Sequence, residues 1–168
     1  HQDPWLNLQG DTDFLEDGGF LWLSERSGFN HLYRYDAGGA NCRQLTSGEW
    51  VITSIARVDQ KAGLVFFVAT KESPLERHLY TVPIDGGEVR RLTAERGCHA
   101  VVVAKEGGRF IDSWSTLERG PRVAVRGPDG ALERMLFENE EATAAGLGLR
   151  VPEMLTVAAA DGSTLYGL

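Results

Sequence analysis

An internal repeat constrains this chain more than any other feature. His31-Leu32-Tyr33 returns as His78-Leu79-Tyr80, and Arg43-Gln44-Leu45-Thr46 returns as Arg90-Arg91-Leu92-Thr93, both 47 residues on. A fainter third copy follows at an offset of 44, with Leu79 answering to Val123 and Leu92 to Leu136. Gly19, Gly63 and Gly108 keep the same beat, each preceding an apolar run. Repeats of this length are supersecondary units that bury their apolar surface by stacking on one another.

Each unit reads as four short strands. The clearest copy has them at Ile52–Val58, Leu64–Ala69, His78–Val82 and Glu88–Thr93. The first copy places them near Asp13–Leu15, Phe20–Leu23, His31–Tyr35 and Asn41–Thr46, and the third near Ala100–Ala104, Arg109–Trp114, Arg122–Val125 and Leu132–Phe137. Asp85-Gly86-Gly87 is turn chemistry, since glycine reaches positive φ without steric cost. Val, Phe, Tyr, Leu and Trp fill the strands, as a half-buried pleated surface prefers. Four antiparallel strands in 44–47 residues is the pattern of a β-propeller blade. An ordinary β-sandwich is the weaker reading, because the offsets agree at several places within each unit.

The expected fold is therefore all-β: a partial β-propeller of about three four-stranded antiparallel blades, at about 9–48, 50–95 and 98–137. Inner strands such as Val101–Ala104 are expected to face neighbouring blades on both sides, which accounts for their unbroken apolar character. Residues 138–151 read as a linker with a short Glu- and Ala-rich helix, Asn139 serving as its N-cap. From Pro152 the chain reads as a hairpin, 152–168, with strands at Glu153–Ala159 and Thr164–Gly167 around Asp161-Gly162.

Composition narrows the function classes. Seventeen Lys+Arg against 24 Asp+Glu leave a net charge of -7, a poor match for nucleic acid or an anionic membrane surface. The longest apolar runs are too short to span a bilayer. No Gly-x-Ser-x-Gly elbow, His-Glu-x-x-His, paired Cys-x-x-Cys or complete dinucleotide fingerprint occurs. No residue is assigned a catalytic, cofactor-binding or metal-binding role, and no cofactor is expected.

The remaining chemistry-bearing residues read as structural. His31 and His78 hold equivalent places and are expected to hydrogen-bond the adjacent loop. Glu25 and Arg26, in the polar stretch Ser24–Gly28, are expected to fix the blade by hydrogen bonds and an ion pair. Trp22, Trp50 and Trp114 read as core or inter-blade packing rather than a cation cage. Glu138, Glu140 and Glu141 read as a solvated helix start. Cys42 and Cys98 lie in different units and read as free, buried thiols.

Three segments carry a family likeness. They are Phe20-Leu21-Trp22-Leu23-Ser24-Glu25-Arg26-Ser27-Gly28-Phe29-Asn30-His31-Leu32-Tyr33, Arg43-Gln44-Leu45-Thr46-Ser47-Gly48-Glu49-Trp50, and Ser73-Pro74-Leu75-Glu76-Arg77-His78-Leu79-Tyr80 with Asp85-Gly86-Gly87 after it. On these residues the chain resembles the dipeptidyl peptidase IV family of serine peptidases, in the prolyl oligopeptidase group.

The resemblance implies the last blades of an N-terminal eight-bladed propeller, with the hairpin after Pro152 beginning an α/β-hydrolase domain. It implies a non-catalytic part of an exopeptidase that removes Xaa-Pro or Xaa-Ala dipeptides from peptide N-termini. This part would form a wall restricting substrate access. The family's amine-binding Glu pair and its nucleophile elbow match no position here. The implied partners are peptide substrates of the full-length enzyme, its own hydrolase domain and the remaining blades. A bacterial periplasm or secretion is the implied location. Eight blades need about 360 residues, so 168 residues are expected to be a piece of the whole. Such a piece is expected to self-associate through exposed blade faces or strand edges. The competing expectation is a non-enzymatic scaffold, either an inactive family member or a TolB-like propeller.

Overall fold

The structure, a computed structural model, describes residues 12–139, 148, 150 and 152–167. Twelve strands form three four-stranded meanders in chain order. Blade 1 contains β1 (Thr12–Phe14), β2 (Phe20–Ser24), β3 (His31–Tyr35) and β4 (Cys42–Gln44). Blade 2 contains β5 (Ile52–Asp59), β6 (Leu64–Ala69), β7 (His78–Pro83) and β8 (Arg90–Arg91). Blade 3 contains β9 (Cys98–Val103), β10 (Phe110–Ser115), β11 (Arg122–Arg126) and β12 (Leu132–Glu138). The separate hairpin pairs β13 (Leu155–Ala158) with β14 (Thr164–Gly167). The expected helix falls mostly on residues outside the described set; Glu138 itself ends β12.

The apolar runs explain how the blades stack. Strand alternation sends Val65, Phe67 and Ala69 of β6 one way, into a cluster with Leu21, Leu23 and Leu32 of blade 1. Phe66 and Val68 of the same strand point the other way and join Leu79, Leu92, Val103 and Phe110 between blades 2 and 3. β6 is thus covered on both faces, which is why it reads as six consecutive apolar residues. Tyr80, Phe66 and Phe67 are among the largest fully buried side chains, and burying each contributes about 2–3 kcal/mol.

β9 does not behave as its sequence suggests. His99 and Val103 are buried against blade 2, but Val102 on the opposite face is 70% exposed. Among the described residues nothing lies over that face of blade 3. The two cysteines also depart from expectation, for both are exposed. Cys42 opens β4, a fully exposed strand at the edge of its sheet. Cys98 opens β9, where its thiol points to the Leu75 carbonyl 3.5 Å away at the margin of the seam. β8 is shorter than Glu88–Thr93, yet the chain beyond it stays attached, since the Leu92 amide donates to the Leu79 carbonyl at 2.8 Å.

Hydrogen bonds tie one blade to the next in a repeating way. The Ile52 amide donates to the Asn30 carbonyl, and 47 residues on the His99 amide donates to the Arg77 carbonyl. On the opposite rim, the turn between a blade's third and fourth strands reaches back to the preceding blade. Asp85 is paired with Arg34, and the Asp85 carbonyl accepts from Arg43 at 2.6 Å. Gly130 plays the corresponding part in blade 3. Its φ is +88°, and a Cβ there would collide with the Leu92 carbonyl oxygen of blade 2.

Candidate functional site

Antiparallel order places the loops after the second and fourth strands of every blade on one rim. This rim holds His31, His78 and His99, and most of the buried polar groups. The repeated sequence motif is a single hydrogen-bonding unit. In blade 1, His31 Nε2 donates to the Gly48 carbonyl at 2.9 Å, leaving Nδ1 to accept from Thr46 Oγ1 at 3.1 Å. Thr46 Oγ1 in turn accepts the Leu32 amide at 3.0 Å.

Blade 2 repeats the unit with one change. His78 Nδ1 meets Thr93 Oγ1 at 3.1 Å, and Thr93 Oγ1 accepts the Leu79 amide at 3.1 Å. His78 Nε2 donates instead to the Glu76 carboxylate at 3.0 Å. The residue before the Leu-Thr pair closes the unit: Gln44 donates to the Thr46 carbonyl, and Arg91 to the Thr93 carbonyl. The histidines therefore bond the adjacent loop, as their sequence positions suggested, and the partner missing from that reading is a threonine 15 residues on.

Between blades 2 and 3 the rim carries a denser network. His99 and Asp112 are buried on facing strands, with Nδ1 2.8 Å from Oδ1. The other His99 nitrogen lies 2.9 Å from the Glu95 carbonyl. Asp112 Oδ2 accepts from Arg126 Nε at 2.8 Å, and Arg126 Nη2 pairs with Glu95 at 2.8 Å. Trp114 stacks on His99, with Arg126 5.0 Å from its ring centroid. Strand phase could have flagged these residues. Asp112 falls between Phe110 and Trp114 on the inward side of β10, and Arg126 follows Ala124 inward on β11. A charge in an inward phase needs a partner.

The electrostatics follow from this packing. Burial pushes His78 below the ordinary imidazole value; Glu76 opposes that, and Arg91 and His99 add to it. Burial pushes the Glu95 carboxyl up, but its bond to Arg126 overrides this and holds it below the ordinary value. Burial likewise opposes, and the bonds to His78 and Arg96 outweigh, in lowering Glu76. Burial raises the Tyr80 phenol.

The remaining singled-out residues also pack. Arg26 donates to Ser24 Oγ at 3.1 Å and lies 4.7 Å from the Tyr33 ring centroid, with Trp22 and Tyr35 beside it. Trp50 meets His31 edge-on and stacks near Phe67 and Tyr80. Trp22 and Trp114 thus do receive cations, but the cations are the protein's own arginines.

An open groove of about 480 Å³ runs between β5 and β9, bordered by Thr53, Ser54, Arg77, His99 and Ala100. Thr53 Oγ1 donates to the Val68 carbonyl, and both His99 nitrogens face oxygens. Among the described residues, no group of three or more His, Cys, Asp or Glu could hold a metal ion. Each of the three rim histidines has both ring nitrogens within hydrogen-bond distance of a protein group. What the arrangement does is tie strands within a blade and hold the loops that join one blade to the next.

Stacked four-stranded meanders latched turn to blade define a segment of β-propeller wall. A family model for the dipeptidyl peptidase IV (DPP IV) N-terminal region matches residues 1–121. The chain belongs to that family. It is 35% identical over 106 residues to a dipeptidyl peptidase 4 of the fungus Arthroderma otae, covering 62% of this chain and 13% of the relative. The crystal structure of Porphyromonas gingivalis dipeptidyl peptidase 4 superposes with a TM-score of 0.80 at 27% identity, over 92% of this chain and 22% of that one. The chain therefore spans only about an eighth of the length of the curated relative it matches.

Proposed function

We propose that this chain is a stretch of the propeller of a DPP IV-like serine exopeptidase, and that it contributes walls rather than chemistry. The carrying observation is that the rim histidines and threonines and the inward charges Asp112 and Arg126 bond to groups of their own blades and of the loops beside them. In the whole enzyme such a wall would admit peptide N-termini and exclude folded protein, which is specificity by exclusion and positioning. The substrates would be peptides with Pro or Ala in second position. The hairpin β13–β14 would begin the hydrolase domain that carries the nucleophile. The enzyme would be exported by a bacterium, to the periplasm or beyond; the family resemblance supports this, and cell fractionation of the source tests it.

The activity test uses a chromogenic Gly-Pro amide. The purified chain is expected to release no chromophore, while the product of the complete gene is expected to do so and to lose activity with a serine-directed inhibitor. Inhibitor-sensitive turnover by the chain alone would overturn the reading. A complete gene product that folds but never turns over would support the scaffold instead.

A further inference from the structure

We propose that Arg57, on the inner edge of blade 2, binds a carboxylate of an extended peptide lying along the groove between β5 and β9. Blade 2 has a described blade against each face, so its neighbours on both sides are in place. Two register shifts interrupt the pairing of β5 with β6, one between Ile52 and Ser54 and one between Ile55 and Arg57. Bulges re-aim side chains and take backbone groups out of the ladder. Ile55 opposes Phe67 and Val58 opposes Val65, and all four belong to the seam with blade 1. Arg57 opposes Phe66, which belongs with Ala56 to the seam with blade 3. The second bulge thus turns a half-buried arginine toward an apolar seam.

That arginine lacks a counter-charge. Its Nε is buried and meets no hydrogen-bond acceptor among the described residues. Blade 3 brings Val101, Val103 and Phe110 to this seam. The acids that follow on the chain are engaged elsewhere: Asp59 accepts the Ala62 amide, and Glu106 pairs with Lys61. The other arginine of the seam, Arg126, is bonded to Asp112. Burying a guanidinium nitrogen without an acceptor is costly, and a carboxylate fits the planar fork.

The groove supplies the approach. β5 is the first strand of its blade and lies at the edge of its sheet, and β9 draws up beside it. First strands that converge in this way border the central channel of a propeller. Beyond Ile52, whose amide reaches Asn30, β5 makes no backbone hydrogen bond outside its sheet among the described residues. The groove follows β5 from Thr53 to Ala56 and so ends beside Arg57, with Arg77 and His99 also on its lining. Thr53 and Ser54 are exposed along it. An open strand edge offers main-chain bonds to an extended peptide, which favours a peptide carboxylate over a free anion. The peptide as occupant rests on the peptidase reading above. The chain's net charge of -7 repels acidic ligands in general, so a preference for one has to come from a local cation.

The test is fluorescence polarisation of the chain with two labelled hexapeptides, acetylated and amidated at their ends, Val-Thr-Glu-Val-Thr-Val and its Gln counterpart. The Glu peptide is expected to bind about 10-fold more tightly, with the margin shrinking as salt is added. Arg57→Gln is expected to erase that margin and Arg57→Lys to keep part of it, with circular dichroism checking the fold of each. Equal binding of the two peptides by the wild-type chain, or an unchanged margin in Arg57→Gln, would overturn the proposal. Inorganic phosphate displacing the Glu peptide at concentrations comparable to the peptide's own would also overturn it, by making this a free-anion site. Failure here beside a complete gene product that cleaves the Gly-Pro amide removes the site and keeps the peptidase reading. An Arg57-dependent margin beside a gene product that never turns over keeps the site and removes that reading.

Discussion

Blades 2 and 3 solve the same problem with different chemistry. Each must tie its third strand to its fourth and its inner strand to the preceding blade. Blade 2 uses the His78–Thr93 unit, which repeats His31–Thr46 of blade 1 and adds Glu76. Blade 3 has lost both residues. Two irregularities in the β11–β12 pairing shift the register, so Arg122 lies opposite Glu138 rather than the Phe137 that the 44-residue offset indicates. These two form an ion pair at 3.3 Å. Blade 3 makes up for the clamp with the buried His99–Asp112–Arg126–Glu95 network. The apolar seams are common to both solutions, while the polar locks are interchangeable. Stacking defines the repeat, and polar groups need only be satisfied once buried.

The comparison predicts unequal costs. Asp112→Ala strands both His99 and Arg126 in a buried seam and should destabilise the chain by about 3–5 kcal/mol in urea unfolding. A loss under 1 kcal/mol would mean that the network is dispensable and the contrast empty. Gly130→Ala tests the latch onto blade 2. With φ at +88° and the Leu92 carbonyl in the way, it should cost about 2–3 kcal/mol by the same measurement. Thr93→Val keeps the shape of the clamp and removes the oxygen that serves Leu79 and His78. It should cost about 1–2 kcal/mol, and Thr46→Val should match it if blades 1 and 2 are true copies. Arg122→Ala breaks a pair whose carboxylate is largely in water and should cost less than about 1 kcal/mol.

The smallest effect is a pH slope. His78 is held below the ordinary imidazole value of about 6.5, so the unfolded chain binds its proton more readily than the folded one. Stability from His78 is therefore whole above that value and declines as pH falls below it. Glu76 and Glu95 are held below the ordinary carboxylate value; their share persists through this window and is lost only at lower pH. His78→Gln should flatten the upper part of the slope and leave the lower part. An unchanged curve between wild type and variant would remove His78 from the account.

Much of this was readable in the chain. The strands fell within a few residues of their expected places, because turn glycines and β-rich runs act locally. The histidines bond the adjacent loops as expected, although their threonine partners are visible only once β3 pairs with β4 and β7 with β8. The Asp112–Arg126 pair was missed because no short motif marks it; only strand phase does. The thiols were misread because Cys is usually buried, whereas Cys42 and Cys98 each stand at the first residue of a strand.

What the sequence determined by itself is the repeat, and with it the blade, since period and turn chemistry are local and add along the chain. What only the tertiary structure decided is which face of each strand is covered. Burial depends on which sheet lies alongside, and the apolar run Val101–Ala104 still leaves Val102 uncovered because no described element stacks beyond blade 3.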